Sequence, residues 1–303
     1  MDLKRSFQYT IRANTYVVPH LKVGLYIVST PIGNMDDISL RALETLAGST
    51  VIACEDTRTS GILLNYYGIN RPKISYNEHN AHIRGPHLIR HILEGHSVAL
   101  ISDAGTPLIS DPGNRLVNEA ISANLKVIPI PGAASPIAAL IASGLENRSF
   151  RFLGFLPNKK SKMMIKLTSL VNEPDTLIFF ESPKRLVKTL ERLSQIMGGR
   201  RTAVVARELT KVHETFHRGS LSKLIQEFDD MERIRGEIII LVEGYKRLMT
   251  KESNDKKNID IESLIRESLK IMKPSQAASD IARKTGLNRS ELYAIAMTVK
   301  TVK

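Results

Sequence analysis

Ser102-Asp-Ala-Gly-Thr-Pro-Leu-Ile-Ser-Asp-Pro-Gly113 decides the fold of this 303-residue chain. It follows an apolar run, Ser97-Val-Ala-Leu-Ile101, and precedes an amphipathic one, Arg115-Leu-Val-Asn-Glu-Ala-Ile121. Strand, loop and helix in that order form the repeating unit of an α/β sheet, and ligands bind at the carboxyl ends of such strands. Gly lets backbone come close to a ligand, and Asp103 and Thr106 can bond a ribose, an amine or a carboxylate. So short a loop reads as a binding floor rather than a lid.

Outward from this loop the same alternation continues. Strands are expected at 25–29, 51–55, 73–76, 98–102 and 126–130, with helices at 38–47, 60–67, 83–94 and 115–123 between them. Continuous apolar strands separated by helices predict a parallel sheet covered on both faces. After Pro131-Gly132 a small-residue helix is expected at 133–143. A second alternating unit follows, with segments at 150–156, 167–171, 176–181, 186–196, 203–209 and 237–243. In it, His213-Glu-Thr-Phe-His217 reads as half of an antiparallel hairpin. The expected organisation is an N-terminal extension over 1–22, α/β domains over 23–132 and 133–245, a polar linker over 246–258 and a helical appendage over 259–303. In the appendage, helices are expected at 261–271, 275–284 and 289–298, the last two spaced as a helix-turn-helix. Residues 246–303 hold 13 Lys and Arg against 7 Asp and Glu, which fits nucleic-acid contact or a solvated helical cap equally.

The whole chain is basic, with a net charge of +12, and this favours a polyanionic partner, nucleic acid before an anionic membrane surface. One cysteine, Cys54, excludes an internal disulfide framework and suits a reducing cytoplasm. No apolar run approaches the roughly 20 residues that span a bilayer, and the first 20 residues lack a secretory signal's apolar core. A cytoplasmic protein is expected.

The unusual residues gather in strand-end loops. Ser29-Thr-Pro-Ile-Gly-Asn34 carries a tight turn, with Asp37 as the expected helix cap. Cys54-Glu-Asp-Thr-Arg-Thr59 places two carboxylates, an arginine and two hydroxyls after an apolar strand, too polar a group for capping alone. Ile130-Pro-Gly-Ala-Ala-Ser135 opens a helix whose amides can hold a carboxylate. In the second half, Glu181-Ser-Pro-Lys-Arg185, Arg207-Glu-Leu-Thr-Lys211 and Arg235-Gly-Glu237 each set a carboxylate beside a base. Together they read as a polar cleft lining, although surface ion pairs explain any one of them singly. His87 and His91 have a zinc-compatible spacing, but no Cys or helical Glu completes a set, and no metal is expected. Neither a Gly-x-Gly-x-x-Gly fingerprint nor a P-loop is present. Cys54 has no nucleophile's surroundings and reads as a buried strand residue.

Taken in order, several of these motifs are those of one family: 24–34, Glu55-Asp-Thr-Arg58, 102–113, Pro131-Gly132, Gly154-Phe-Leu-Pro157 and Ala206-Arg-Glu-Leu-Thr-Lys211. Over about residues 24–245 the sequence resembles the small-subunit ribosomal RNA 2′-O-methyltransferases of the tetrapyrrole methylase superfamily. The resemblance implies two αβα domains with S-adenosyl-L-methionine in the cleft between them, usually in a homodimer. The methyl acceptor it implies is the ribose 2′-hydroxyl of a cytidine near the decoding centre of 16S rRNA. It places Pro31, Asp103, Ala104, Gly105, Thr106 and Ser135 at the cofactor, with Glu181, Ala206, Gly236 and Glu237 closing the pocket. The sequence departs from common forms of this family at Cys54, where Ala is usual, and at Lys184, where His is frequent. Relatives that methylate tetrapyrrole carbons carry a different first loop from Thr30-Pro-Ile-Gly-Asn34.

An alcohol attacks a methyl group well only if a base removes its proton. Glu55 or Asp56 is the first candidate base, with Arg58 orienting it or holding a phosphate; Glu208 and Glu181 are the reserves. Lys159, Lys160, Lys162 and Lys184 are the expected RNA contacts. The alternatives are carbon methylation of a tetrapyrrole precursor and a non-catalytic RNA-binding module that keeps the fold.

Overall fold

The structure is a computed structural model that describes residues 7–246, 261–269, 271–285 and 288–301. Its first five-stranded sheet contains β3 (Gly24–Val28), β4 (Val51–Cys54), β5 (Lys73–Ser75), β6 (Ser97–Ile101) and β7 (Val127–Ile130), in the order β5-β4-β6-β3-β7. All its pairings are parallel, as the continuous apolar strands predict. The pleat sends alternate side chains to opposite faces. Val28, Ile52, Cys54, Ala99 and Ile101 pack on one side with α1 (Leu40–Gly48) and α2 (Thr57–Tyr66). Leu25, Val51, Ala53, Val98 and Leu100 pack on the other with α3 (Ala81–Leu93) and α4 (Asn114–Ser122). The neighbouring strands β3 and β6 therefore lead to helices on opposite faces. Such a switch in direction at the carboxyl ends of neighbouring strands is where α/β sheets bind ligands.

The second sheet has the order β11-β10-β12-β9-β8, from β8 (Phe150–Phe155), β9 (Thr176–Glu181), β10 (Thr202–Arg207), β11 (Thr215–Ser220) and β12 (Ile238–Val242). Only β8 and β9 run parallel; β12 is antiparallel to both its neighbours, and β11 to β10. The half-hairpin expected at 213–217 is β11, antiparallel to β10; strand-helix alternation predicts most other elements but not their directions, and misses the helix at Leu221–Asp229. One face packs on α5 (Ser135–Ser143) through Ala139, Leu140, Ile178, Val204 and Leu241. The other packs on α6 (Lys160–Thr168), α7 (Leu186–Met197) and α8 (Leu221–Asp229). Phe179 is fully buried in this second core. Phe179→Ala should cost about 3–5 kcal/mol of stability, the range for deleting a buried ring, read as a lower urea midpoint.

Two local expectations need correction, and one further element was not expected. The element expected at 167–171 is a helix that starts at Lys160, because its first turn, Lys160-Ser-Lys162, hides the spacing of buried Met163 and Leu167. Asp37 does not cap α1: it lies in a 3₁₀ turn, and the Ser39 side chain accepts from the Ala42 N–H instead. The N-terminal extension carries an antiparallel hairpin, β1 (Gln8–Ile11) with β2 (Asn14–Val17), on which Tyr9 alone is buried. One buried side chain in eight leaves no alternation to read.

Residues 246–303 form a separate compact unit. Its helices α9 (Ile261–Leu269), α10 (Pro274–Thr285) and α11 (Arg289–Thr301) bury Ile265, Ala278, Ile281, Leu292, Ala296 and Val299. Nearly all of the expected linker, 246–258, lies outside the described residues, as do 286–287 of the expected turn.

Candidate active site

The loop after β6 is held from beneath by the loop after β3. Thr30 donates its N–H to the Gly105 carbonyl at 2.8 Å, and Gly105 donates to Thr30 at 3.1 Å and to Pro31 at 3.3 Å. Thr106 Oγ1 lies 2.9 Å from Ser29 Oγ and donates to the Ala133 carbonyl, also at 2.9 Å. Three loops are thus stitched into one floor. Gly105 has φ +77° and Gly113 φ +136°, while Leu108 and Ser110 take left-handed conformations that such residues rarely adopt. Non-glycine residues held there cost of order 1–3 kcal/mol each and gather at functional sites.

This floor and the second sheet enclose a cavity of about 240 Å³. Ala104, Gly105, Thr106 and Ser135 line it from the first half of the chain, and Glu181 and Glu237 from the second. The other four expected cofactor residues are not in the lining. Pro31 supports Gly105, and Ala206 is buried in the apolar cluster with Ile32 and Ile239. Asp103 accepts from the Asp56 N–H at 3.1 Å. Gly236, at φ +90°, leaves room for Glu208, whose Cδ lies 2.4 Å from where a Cβ would stand. The lining also includes residues that sequence reasoning missed: Ile32, Ile109, Ser110, Asp111, Phe155, Phe180, Leu209 and Ile239. Ser110 and Asp111 were inside the quoted loop, and Phe155 inside Gly154-Phe-Leu-Pro157. No signal in the sequence marks Leu209 or Ile239 as more than core.

A clasp joins the two halves beside the cavity. Lys211 Nζ sits 2.9 Å from Glu208 and 3.2 Å from Glu237, and the Glu237 N–H donates to Glu208 at 2.9 Å. Glu208 and Thr210 both have positive φ, and Thr210 Oγ1 accepts from the Asn34 N–H at 3.0 Å. Gly33 is required opposite, since a Cβ there would lie 2.7 Å from the Leu209 carbonyl oxygen.

The carboxylates differ in what they can do. The Glu237 N–H, then Lys211, hold the Glu208 carboxyl below its usual range, so it is a weak base. Glu181 is nearly inaccessible and fully engaged, accepting from the Ser182 N–H at 2.8 Å and from Thr189 Oγ1 at 2.6 Å. Asp56 is held at about 2 by its side-chain bond to Arg58, and it caps α2. Glu55 is the opposite case. Burial, then the charges of Asp103 and Asp111, push its carboxyl up. Burial also raises Asp103 and Asp111. Glu55 does not line the cavity; it stands at the end of β4 and accepts from the Asp103 backbone. Arg58 points into solvent, with its side chain 91% exposed. Lys159, Lys160, Lys162 and Lys184 are all exposed, the first three around the start of α6.

Cys54 is buried, its thiol directed to the Ile74 carbonyl. Away from the cavity, His91, Glu94 and His96 bring their ligand-type atoms within 4.8 Å of one another. The two rings stack at 4.3 Å, a different grouping from the His87 and His91 pair that the spacing singled out.

Comparisons with known proteins agree with this architecture. The family of tetrapyrrole (corrin/porphyrin) methylases matches residues 24–225. The ribosomal RNA small subunit methyltransferase I of Mesorhizobium japonicum is 47% identical over 273 residues, covering 90% of this chain and 91% of that protein. The protein of the same name from Haemophilus influenzae is 42% identical over 271 residues, covering 89% and 94%. Among solved structures, uroporphyrin-III C-methyltransferase from Thermus thermophilus, complexed with S-adenosylhomocysteine, superposes with a TM-score of 0.52 at 19% identity. It covers 72% of this chain and 96% of its own.

Proposed function

The chain belongs to the tetrapyrrole (corrin/porphyrin) methylases, and on that premise we propose that it methylates a cytidine ribose 2′-hydroxyl in 16S rRNA near the decoding centre. It is an S-adenosylmethionine-dependent methyltransferase. The observation that carries the RNA reading is identity of 40–47% over about nine-tenths of the chain to proteins named for small-subunit ribosomal RNA. The net charge of +12 supports it.

The residues present fit the cofactor. Ile32, Leu209 and Ile239 give the cavity apolar walls, and Thr106, Ser135 and Glu237 give it polar edges. The N-terminus of α5 has no side-chain cap and stands in the lining, where its amide donors suit a carboxylate. Bound there, S-adenosylmethionine supplies an electrophilic methyl group on a sulfonium. Thr106 and Ser135 would hold its polar parts, and the wall residues would keep water out. Glu55 would take the proton of the attacking ribose hydroxyl, its raised affinity for protons bringing it closer to neutrality than an ordinary carboxylate. Asp56 would fix Arg58, and Arg58 would meet an RNA phosphate.

Lys159, Lys160, Lys162 and Lys184 would hold further phosphates. Binding to single-stranded RNA should therefore weaken with a log–log salt slope of about −0.7 per phosphate contact. Each Lys→Ala change should flatten that slope by about one contact; an unchanged slope in all four would remove them from the interface. We place the enzyme in the cytoplasm, as its reduced cysteine suits. We take the working unit to be a homodimer, and exposed Ile137 and Ile141, on one face of α5, support a partner there.

The deciding experiment supplies labelled S-adenosylmethionine to the protein with hypomethylated small ribosomal subunits, then identifies the labelled nucleoside. Label in 2′-O-methylcytidine is the expected result. Label absent from RNA but present in a porphyrinogen would move the substrate to the tetrapyrroles.

A further inference from the structure

We infer that Phe155 is a stacking platform for an unstacked nucleobase of the RNA, an inference that rests on the RNA reading above. The last residue of β8, Phe155 lines the cavity yet is 58% exposed, the most exposed phenylalanine among the described residues. It is not loose. Its ring leans on Phe180, with centroids 5.4 Å apart at 57°, and Phe180 in turn stands edge-on to Phe152 at 4.9 Å. One face of the ring is thereby braced from within, and exposure leaves the ring open to solvent.

The backbone that presents it is anchored as firmly. Arg185 donates to the Leu156 carbonyl at 2.9 Å and to the Asn158 side chain. Arg185 itself is fixed by Glu181 at 3.3 Å, and Glu181 by Thr189. On the other side, Gly154 adopts φ +61° and lets the chain pass against Ser110 of the cofactor floor. A half-buried ion pair and a left-handed glycine thus hold an aromatic ring at the cavity mouth. The same bonds seat the buried Leu156 in the core, while the Phe155 ring beside it covers little of that core.

What lies next along the chain identifies the occupant. Lys159, Lys160 and Lys162 follow within seven residues of Phe155, all exposed. An exposed aromatic beside a run of exposed lysines is how proteins hold single-stranded nucleic acid: cations track the phosphates, and the ring stacks on a base. A 2′-hydroxyl inside a folded subunit reaches a cavity only if its nucleotide leaves the helical stack, and a π-face at the mouth replaces the stacking it has lost. Phe155 acts on binding and positioning, not on the chemical step.

The test compares wild type with Phe155→Ala, Phe155→Leu and Phe155→Trp on hypomethylated small ribosomal subunits. S-Adenosylhomocysteine affinity and thermal midpoint are measured alongside. Phe155→Ala should raise KM for the subunits at least tenfold, and Phe155→Leu should not restore it, since an aliphatic side chain has bulk without a π-face. Phe155→Trp should stay within a few-fold of wild type. Cofactor affinity and the salt slope of RNA binding should be unchanged throughout. An unchanged KM in Phe155→Ala, with wild type active on the same subunits, overturns the stacking role alone. A loss of S-adenosylhomocysteine affinity in Phe155→Ala also overturns it and assigns the ring to the cofactor. A wild-type protein that neither binds nor methylates the subunits overturns the RNA reading and this inference together.

Discussion

Gly105→Val should abolish measurable cofactor binding while leaving a folded protein. Two independent constraints meet at this residue. Its φ of +77° is open to glycine and strained for a β-branched side chain. A Cβ would also stand 3.0 Å from Ile32 Cγ2, before valine's methyl groups are added. Relief requires the loop to lift, and lifting breaks the paired bonds with Thr30 on which Thr106 and Ala104 are mounted. The strain is about 1–3 kcal/mol, below what usually unfolds a domain, but the floor it deforms is the binding surface itself. A loss in S-adenosylhomocysteine affinity of at least 100-fold, about 2.7 kcal/mol, is expected by calorimetry. Unfolding in urea should report a protein that is weakened yet cooperative. Wild-type affinity in this variant would show that the loop does not hold the cofactor.

Glu55→Gln should lower kcat by about 10²–10⁴, the usual contribution of a general base, with little change in cofactor affinity. The pH dependence separates this from a structural effect. A base works deprotonated, so the wild-type rate should rise with pH through Glu55's elevated pKa and then level off. In the variant that rising limb should vanish. Stability should hold steady or improve, because the charge removed is one that Asp103 and Asp111 oppose. Asp56→Asn should behave differently: a carboxyl held near 2 carries no proton in the working range, and its loss acts through the α2 cap and Arg58. A Glu55→Gln enzyme with full activity would rule Glu55 out as the base.

The first sheet was legible almost to the residue, because parallel strands buried on both faces leave unbroken apolar runs such as Ser97-Val-Ala-Leu-Ile101. The second was legible in most of its elements but in direction only at the hairpin of 213–217, since Ile238–Val242 reads the same whichever way its neighbours run. The cavity's polar floor showed in the sequence as a cluster of Gly, Pro and hydroxyls. Its apolar wall did not: Leu209 and Ile239 are ordinary core residues by type, and only the fold turns them toward a cavity. Phe155 and Glu181 illustrate the same limit from opposite sides. One is an aromatic left exposed and the other a carboxylate left buried, and burial is what a linear pattern of residue types specifies least.

The order in which the chain leaves the ribosome gives the cavity's composition a further meaning. The first sheet is complete at Ile130, while the lining continues to Ile239. At about 5–20 residues per second, the roughly 110 residues between them take some 5–20 s to synthesise. For that interval the nascent first half lacks the rest of the lining, and with it the ligand it will later share. Its stability has to come from its own core, and the cofactor can act only as a late fastener once the second half has arrived.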